Sequence, residues 1–197
     1  MLEFLKYCGS PYAVSPQEET WGAMEGASSL SILKTLSPVG RLLLTSDGSM
    51  TQMLEALLLK KISTEIICQK IAPLEKEVDA VCEFVPGSEL LAREAWLIDG
   101  ERPLVYAYSL LSVPEEGDYS LQAIKEVNEP LGRMVRDNGV RTLRDRCCFG
   151  LVSSPSIAEQ YGVGPEADLW ARYYRLTTDS NFSGVIFELF SPSLFEI

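Results

Sequence analysis

Residues 90–111 read LLAREAWLIDGERPLVYAYSLL, and their pattern is the strongest indication of the fold. It contains two mostly apolar runs, at 90–98 and 104–111, that are rich in the branched and aromatic side chains favoured in β-strands. The Asp99-Gly100 pair between the runs favours a tight turn, because glycine adopts positive φ at little cost. The stretch therefore predicts a β-hairpin.

A second hairpin is predicted near the end of the chain, where strands at 173–178 and 185–190 flank a polar turn. Alternation of apolar residues at 62–71 predicts one further strand. Strands joined mainly by hairpins pair antiparallel. The pattern indicates an α+β fold, with an antiparallel sheet and helices on one side.

Two short helices are predicted from the residues at their starts. Ser49 and Gln52 match a capping box, in which the serine and glutamine side chains stabilise the first helical turn. Pro130 favours the start of another helix, and the apolar face that follows ends near residue 137.

The segments 1–36 and 139–168 contain many turn-forming residues and no long periodic pattern. We interpret 1–36 as an N-terminal extension that includes a helix at 28–34. The segment 139–168 is interpreted as an insertion made of loop and helix fragments. With 197 residues in total, the whole chain is predicted to form a single domain.

The composition indicates a protein of a reducing compartment. No apolar run approaches the roughly 20 residues of a membrane span, and the N-terminus lacks the pattern of a signal peptide. The five cysteines are odd in number and form no CxxC pair, so we interpret them as buried free thiols. A cytoplasmic location without a membrane partner is expected.

Charge and missing residues exclude several functions. The net charge of −11 argues against nucleic-acid binding, which needs a basic surface. The chain has no histidine, so His-dependent triads and ordinary zinc sites are excluded, and no Gly-rich nucleotide-binding loop is present. The one cluster of basic residues in the sequence is interpreted as a solvated helix surface. It consists of Arg133, Arg136, Arg141, Arg144 and Arg146.

Arg93 and Glu188 are ionisable residues within otherwise apolar strands. A buried charge requires a partner, so the two side chains either pair with each other or together hold a small anionic ligand. The predicted helix starts near Met50 and Leu131 carry first-turn amides, which attract anions.

Four short motifs occur in the same order as in the chorismate pyruvate-lyases, and the chain resembles this family over about residues 40–137 and 168–194. The motifs are Asp47-Gly48-Ser49-Met50-Thr51, Leu91-Ala92-Arg93-Glu94, Pro130-Leu131-Gly132-Arg133 and Phe187-Glu188-Leu189-Phe190-Ser191-Pro192. Enzymes of this family convert chorismate to 4-hydroxybenzoate and pyruvate. The resemblance implies an antiparallel sheet whose helices cover an internal ligand cavity.

The resemblance also implies the residues of the site. Met50 and Leu131 would bind the ligand through main-chain amides, Arg93 would bind a substrate carboxylate, and Glu188 would face the other end of the ring. Arg93 and Glu188 are thus the candidate catalytic residues, and a protonated Glu188 is expected to donate to the ether oxygen. Because aromatisation of the ring drives the reaction, no cofactor or metal is expected.

Three alternatives stay open. Arg93 and Glu188 could form a purely structural ion pair. The chain could be a stand-alone sensor of small aromatic acids, since the resemblance extends to the effector-binding domains of GntR-type regulators; residues 1–40 are too short for their DNA-binding domain. A related lyase could give a different hydroxybenzoate. The expected partners are chorismate and 4-hydroxybenzoate, bound by a monomer without nucleic acid.

Overall fold

A computed structural model of the chain describes residues 12–17, 20–23, 31–73, 84, 88–112, 130–179 and 182–197. The elements in chain order are β1 (Ser15–Pro16), β2 (Gly22–Ala23), α1 (Pro38–Thr45), α2 (Met50–Leu58), β3 (Ser63–Pro73), β4 (Glu89–Asp99), β5 (Arg102–Ser112), α3 (Leu131–Asp137), β6 (Thr142–Ser153), α4 (Pro155–Gln160), β7 (Asp168–Thr178), β8 (Ser183–Phe190) and a 3₁₀ turn (Pro192–Leu194).

The strands form one antiparallel sheet in the order β1-β6-β7-β8-β5-β4-β3, with β2 also paired to β6. Both predicted hairpins are confirmed, as β4–β5 and β7–β8. Gly100 has φ of +63° in the first hairpin turn, as the Asp-Gly pair predicts. Pairing of β5 with β8 joins the two hairpins at the centre of the sheet. The α+β fold class is confirmed.

The prediction of loop and helix fragments for the segment 139–168 was wrong for residues 142–153 and was confirmed for the helix at 155–160. The segment contains β6, a 12-residue strand that lies within the sheet beside β7, followed by the short helix α4. The pairing shifts between Asp145 and Cys148, and Arg146 has φ of +50°. This bulge interrupts the alternation of side chains, so the strand has no simple two-residue period in the sequence.

Residues of the N-terminal extension also contribute to the sheet, because β1 and β2 both pair with β6. Of the helix predicted at 28–34, residues 31–33 are helical, and residues 28–30 lie outside the described residues. In the described part of the chain, no helix has the length and apolar character needed to cross a membrane.

The two faces of the sheet carry different cores. One face packs Trp96, Tyr106, Tyr108 and Phe187 into a large apolar cluster. Helix α4 also packs into this cluster. The other face is covered by α1, α2 and α3, whose apolar side chains form two smaller clusters with the strands.

The starts of α2 and α3 lie against each other above this second face. Ser49 caps α2 by accepting a hydrogen bond from the Gln52 amide at 3.5 Å, so the predicted serine cap is confirmed. A Cβ at Gly132 would lie 3.1 Å from the Ser49 hydroxyl oxygen, so glycine permits this close approach. An ion pair between Arg133 Nη2 and Glu55 Oε1, 2.5 Å apart, also joins the two helices.

Candidate functional site

A cavity of about 70 Å³ lies between the covered face of the sheet and the starts of α2 and α3. Strands β3 to β8 supply its floor and walls, and residues 49–51 and 130–132 supply its roof. Small side chains such as Ala95, Ala107 and Ser109 project into the middle of the sheet face and leave room for the cavity. The cavity therefore exists because small residues occupy central strand positions.

All four residues predicted for the site line this cavity. Arg93 and Glu188 are almost fully buried, with exposed fractions of 3% and 4%. Met50 and Leu131 are the first helical residues of α2 and α3. The structure thus brings together residues that lie up to 138 positions apart in the sequence.

Strand register explains why Arg93 and Glu188 share one face. Arg93 lies opposite Ser109 of β5, and Glu188 lies opposite Ala107 of the same strand. Ala107 and Ser109 are two residues apart, so their side chains point to the same side of the sheet. The guanidinium and the carboxyl group consequently face one chamber.

Glu188 forms its ion pair with Arg172, which the sequence reasoning did not single out. Arg172 Nε donates to Glu188 Oε2 at 2.6 Å, and the two residues are direct neighbours in the β7–β8 register. Arg172 is fully buried and lies outside the cavity lining. A signal for Arg172 was present in the sequence. It lies two residues before Tyr174 in a mostly apolar and aromatic strand, and Arg93 likewise lies in a mostly apolar strand.

Arg172 also fixes the connection between α1 and α2. Its Nη1 donates to the carbonyl oxygens of Leu43 and Ser46, both at 2.8 Å. These carbonyls belong to the end of α1, where helical carbonyls lack partners of their own. The same guanidinium therefore holds the Glu188 carboxylate and the chain that leads into the cavity roof.

The charges of this cluster reinforce one another. Burial opposes the charge on Arg172, but the Glu188 carboxylate and the Tyr174 hydroxyl outweigh it, so the pKa of Arg172 is raised. Tyr174 donates to Glu188 Oε1 at 3.4 Å, and its ring lies 5.2 Å from the Arg172 guanidinium carbon. Burial, together with the Glu188 carboxylate, raises the pKa of Tyr174, which stays protonated near neutral pH.

Arg93 remains charged at neutral pH despite its burial. Desolvation lowers the pKa of its guanidinium to about 10, which is still well above 7. The side chains of Thr64 and Ser109 place two hydroxyl groups in the same cavity. The site thus offers one buried cation together with neutral polar groups, an arrangement suited to a carboxylate.

Arg144 corrects the interpretation of the basic residues as a solvated helix surface. It belongs to β6 and lines the cavity. Its Nη1 donates to the carbonyl oxygen of Asp47 and to the Thr142 hydroxyl, both at 3.0 Å. The bulge in β6 explains why the sequence did not show it, since the alternation that assigns a side chain to one face is broken there.

A metal site is not formed by the residues described. In the ranges that the structure covers, no group of three or more Cys, Asp or Glu side chains is placed to hold a metal ion. Cys147 is half-buried near Arg172, and desolvation raises the pKa of its thiol to about 11.

Comparison with known proteins assigns this chain to a protein family. Residues 44–197 match the family described as Chorismate pyruvate-lyase Rv2949c-like. This chain belongs to that family. It is also 27% identical over 154 residues to the uncharacterized protein ycf21 of Cyanophora paradoxa, a match that covers 76% of this chain and 75% of the relative.

Solved structures share the fold at low sequence identity. PhnF from Mycobacterium smegmatis matches with a TM-score of 0.57 and 13% identity, over 77% of this chain and 67% of PhnF. A putative transcriptional regulator from Streptomyces coelicolor matches with a TM-score of 0.53 and 19% identity, over 68% of this chain and 89% of the regulator. At these identities the similarity establishes the fold alone.

Proposed function

We propose that this protein is a lyase that converts chorismate to 4-hydroxybenzoate and pyruvate without a cofactor. Family membership supports the reaction class. The observation that carries the proposal is the position of buried Arg93 and Glu188 on one cavity, beneath the starts of two helices. The product would serve quinone or related aromatic metabolism.

Arg93 is proposed to bind the ring carboxylate of the substrate. Its guanidinium is planar and can form two parallel hydrogen bonds with a carboxylate, and its burial strengthens them. The main-chain amides of Met50 and Leu131 would donate to ligand oxygens from the roof of the cavity. The position of both residues in the cavity lining supports these roles.

Arg172 changes the role proposed for Glu188. Arg172 Nε donates to Glu188 Oε2 at 2.6 Å, so Glu188 acts as a hydrogen-bond acceptor in this pair, whereas the sequence suggested a proton donor. We propose that the Glu188 carboxylate accepts a hydrogen bond from the ring hydroxyl and so orients the ring. Arg172 is then a positioning residue for Glu188.

The remaining walls would favour the elimination. When the ether C–O bond breaks, the ring loses a proton and becomes aromatic, and the departing enolpyruvate gains a proton to give pyruvate. Apolar side chains such as Leu97, Leu176 and Ile186 line the cavity and exclude water from this step. The site therefore needs mainly to hold the substrate carboxylates and the ring in one orientation.

Ligand binding would widen the cavity. Its volume of about 70 Å³ is smaller than the roughly 150 Å³ of an apolar cavity that holds benzene. Outward movement of roof side chains such as Met50 and Leu131 would provide the additional space. Product release would require the same movement.

Incubation of the purified protein with chorismate tests the proposal. We expect stoichiometric release of pyruvate, measured with a coupled dehydrogenase, and 4-hydroxybenzoate as the aromatic product on chromatography. Another hydroxybenzoate isomer would change the assigned product but not the reaction class. Absence of pyruvate would refute the lyase. Full turnover by Glu188→Gln would contradict the role proposed for Glu188.

A second candidate function is a sensor of small aromatic acids. It is favoured by the structural similarity to a protein described as a putative transcriptional regulator. A sensor would bind 4-hydroxybenzoate, as measured by calorimetry, and would release no pyruvate from chorismate. The same two measurements therefore distinguish the two functions.

A further inference from the structure

A second arginine lines the cavity and comes from a distant strand of the sheet. Arg93 enters from β4 and Arg144 from β6, with β7, β8 and β5 between these strands. Four strand spacings of about 4.8 Å would separate them by roughly 19 Å on a flat sheet. Both side chains nevertheless line the same small cavity, which they reach from two strands that are separated by three others.

The contacts of Arg144 in the described chain are with neutral groups. Nη1 binds the Asp47 carbonyl and the Thr142 hydroxyl, and the guanidinium carbon lies 5.9 Å from the centre of the Tyr174 ring. Nε is buried and has no hydrogen-bond partner among the described residues. The guanidinium is thus held in place at the cavity, with one buried N–H that lacks an acceptor among the described residues.

The one carboxylate of the cavity lining is already neutralised. Glu188 is the only acidic residue among the described side chains of the lining, and its charge is balanced by the fully buried Arg172. Among the described lining residues, Arg93 and Arg144 carry the positive charge. Arg144 also binds the Asp47 carbonyl, two residues before the cap of α2, so it lies beside the helix start that carries the Met50 amide.

We infer that Arg144 binds the second carboxylate of the substrate and determines specificity for a dicarboxylate. The inference rests on the proposed function, in which Arg93 takes the ring carboxylate. Chorismate has a second carboxylate on its ether-linked side chain, and 4-hydroxybenzoate lacks it. Arg144 therefore contributes to substrate binding and makes no equivalent contact with the aromatic product.

Binding of a dicarboxylate and a monocarboxylate to Arg144→Gln tests this role. The probes are 3-(carboxymethoxy)benzoate, which is stable and carries a ring carboxylate and an ether-linked carboxylate, and 4-hydroxybenzoate. For Arg144→Gln we expect the affinity for the dicarboxylate to fall about 10- to 100-fold, the range of one charge-assisted hydrogen bond. The affinity for 4-hydroxybenzoate is expected to change by less than about threefold, because Arg93 is intact.

Two variants control the experiment. Arg141→Gln removes the same charge from an exposed position next to β6, outside the cavity lining, and should leave both affinities unchanged. Arg144→Lys keeps the charge but loses the planar fork, and we expect an intermediate loss for the dicarboxylate alone. Arg144→Lys also tests the inference if the Arg144→Gln protein does not fold.

The outcomes separate this inference from the lyase proposal. A wild-type protein that binds the dicarboxylate through Arg144 but releases no pyruvate would refute the lyase and leave the role of Arg144 standing. Equal loss of affinity for both probes would assign Arg144 a structural role through Asp47 and overturn the inference. Failure of the wild-type protein to bind the dicarboxylate more tightly than 4-hydroxybenzoate would also overturn it.

Discussion

At the scale of single residues, the site depends on buried arginines with different tasks. Arg93 faces the cavity, and Arg172 compensates Glu188 from outside its lining. Each guanidinium is buried at a cost that only a specific partner offsets. We therefore expect the removal of Arg93 to change mainly ligand binding and the removal of Arg172 to change mainly folding stability.

Replacement of Arg93 by alanine should abolish tight ligand binding while the fold is retained. We expect the affinity for 4-hydroxybenzoate to fall at least about 10- to 100-fold, because two charge-assisted hydrogen bonds to the carboxylate are lost. Calorimetry measures the affinity, and circular dichroism checks the fold. An unfolded Arg93→Ala protein would instead support the structural alternative for this residue.

Replacement of Arg172 by methionine should destabilise the protein by about 3–5 kcal/mol, because it leaves the buried Glu188 carboxylate without its partner. The double variant Arg172→Met/Glu188→Gln should recover part of this loss, since it leaves no uncompensated charge. Urea unfolding measures both free energies. If the double variant is no more stable than Arg172→Met alone, the ion pair is not the source of the loss.

At the scale of elements, the roof of the cavity depends on contact between two helix starts. The sequence contains the serine cap of α2 and the proline before α3, and both helices form where these residues predict. It does not show that Gly132 lies against Ser49, because this contact joins residues far apart in the chain. The contact brings Met50 and Leu131 to the lining of one cavity.

The effect of Gly132→Ala on the free energy of unfolding should differ between the wild type and the Ser49→Ala protein. Alanine favours helix over glycine by up to about 1 kcal/mol, but its Cβ would lie 3.1 Å from the Ser49 hydroxyl oxygen. The Gly132→Ala change should therefore be more favourable by about 1 kcal/mol in the Ser49→Ala protein than in the wild type. A double-mutant cycle by urea unfolding measures this coupling, and strictly additive effects would contradict the contact.

At the scale of the whole molecule, the sheet depends on how β6 is held beside the β7–β8 hairpin. Arg175 and Asp145 form two parallel hydrogen bonds of 2.8 and 2.5 Å between β7 and β6, next to the bulge. The hydrogen bond from Arg175 is the main reason that the pKa of Asp145 is lowered. This pair holds the strand that carries Arg144 into the cavity wall.

The Asp145 pair should contribute stability that is lost in acid. Because the folded pKa is lower than the unfolded value of about 3.9, the contribution is present above about pH 4 and disappears as the pH falls through the folded pKa. The pair is partly exposed, so its contribution at pH 7 is at most about 1 kcal/mol. Urea unfolding of wild type and Asp145→Asn should show this difference at pH 7 and none near pH 2.

The local features of this protein could be predicted from the amino-acid sequence. Alternating apolar residues and the Asp-Gly turn predicted the β4–β5 hairpin, and the serine cap predicted α2, because these signals act between residues close in the chain. Short motifs around Arg93 and Glu188 indicated the family. All of these features depend on a few neighbouring residues.

The pairing of the charged side chains is visible only in the folded structure. Arg172 pairs with Glu188 through the register of β7 and β8, and Arg144 lines the cavity from β6, next to the register shift in that strand. Register, bulges and curvature arise from packing across the whole sheet, so no local pattern specifies them. For that reason the sequence indicated a site with one arginine, Arg93. The folded chain adds Arg144 to the cavity lining and places Arg172 behind Glu188.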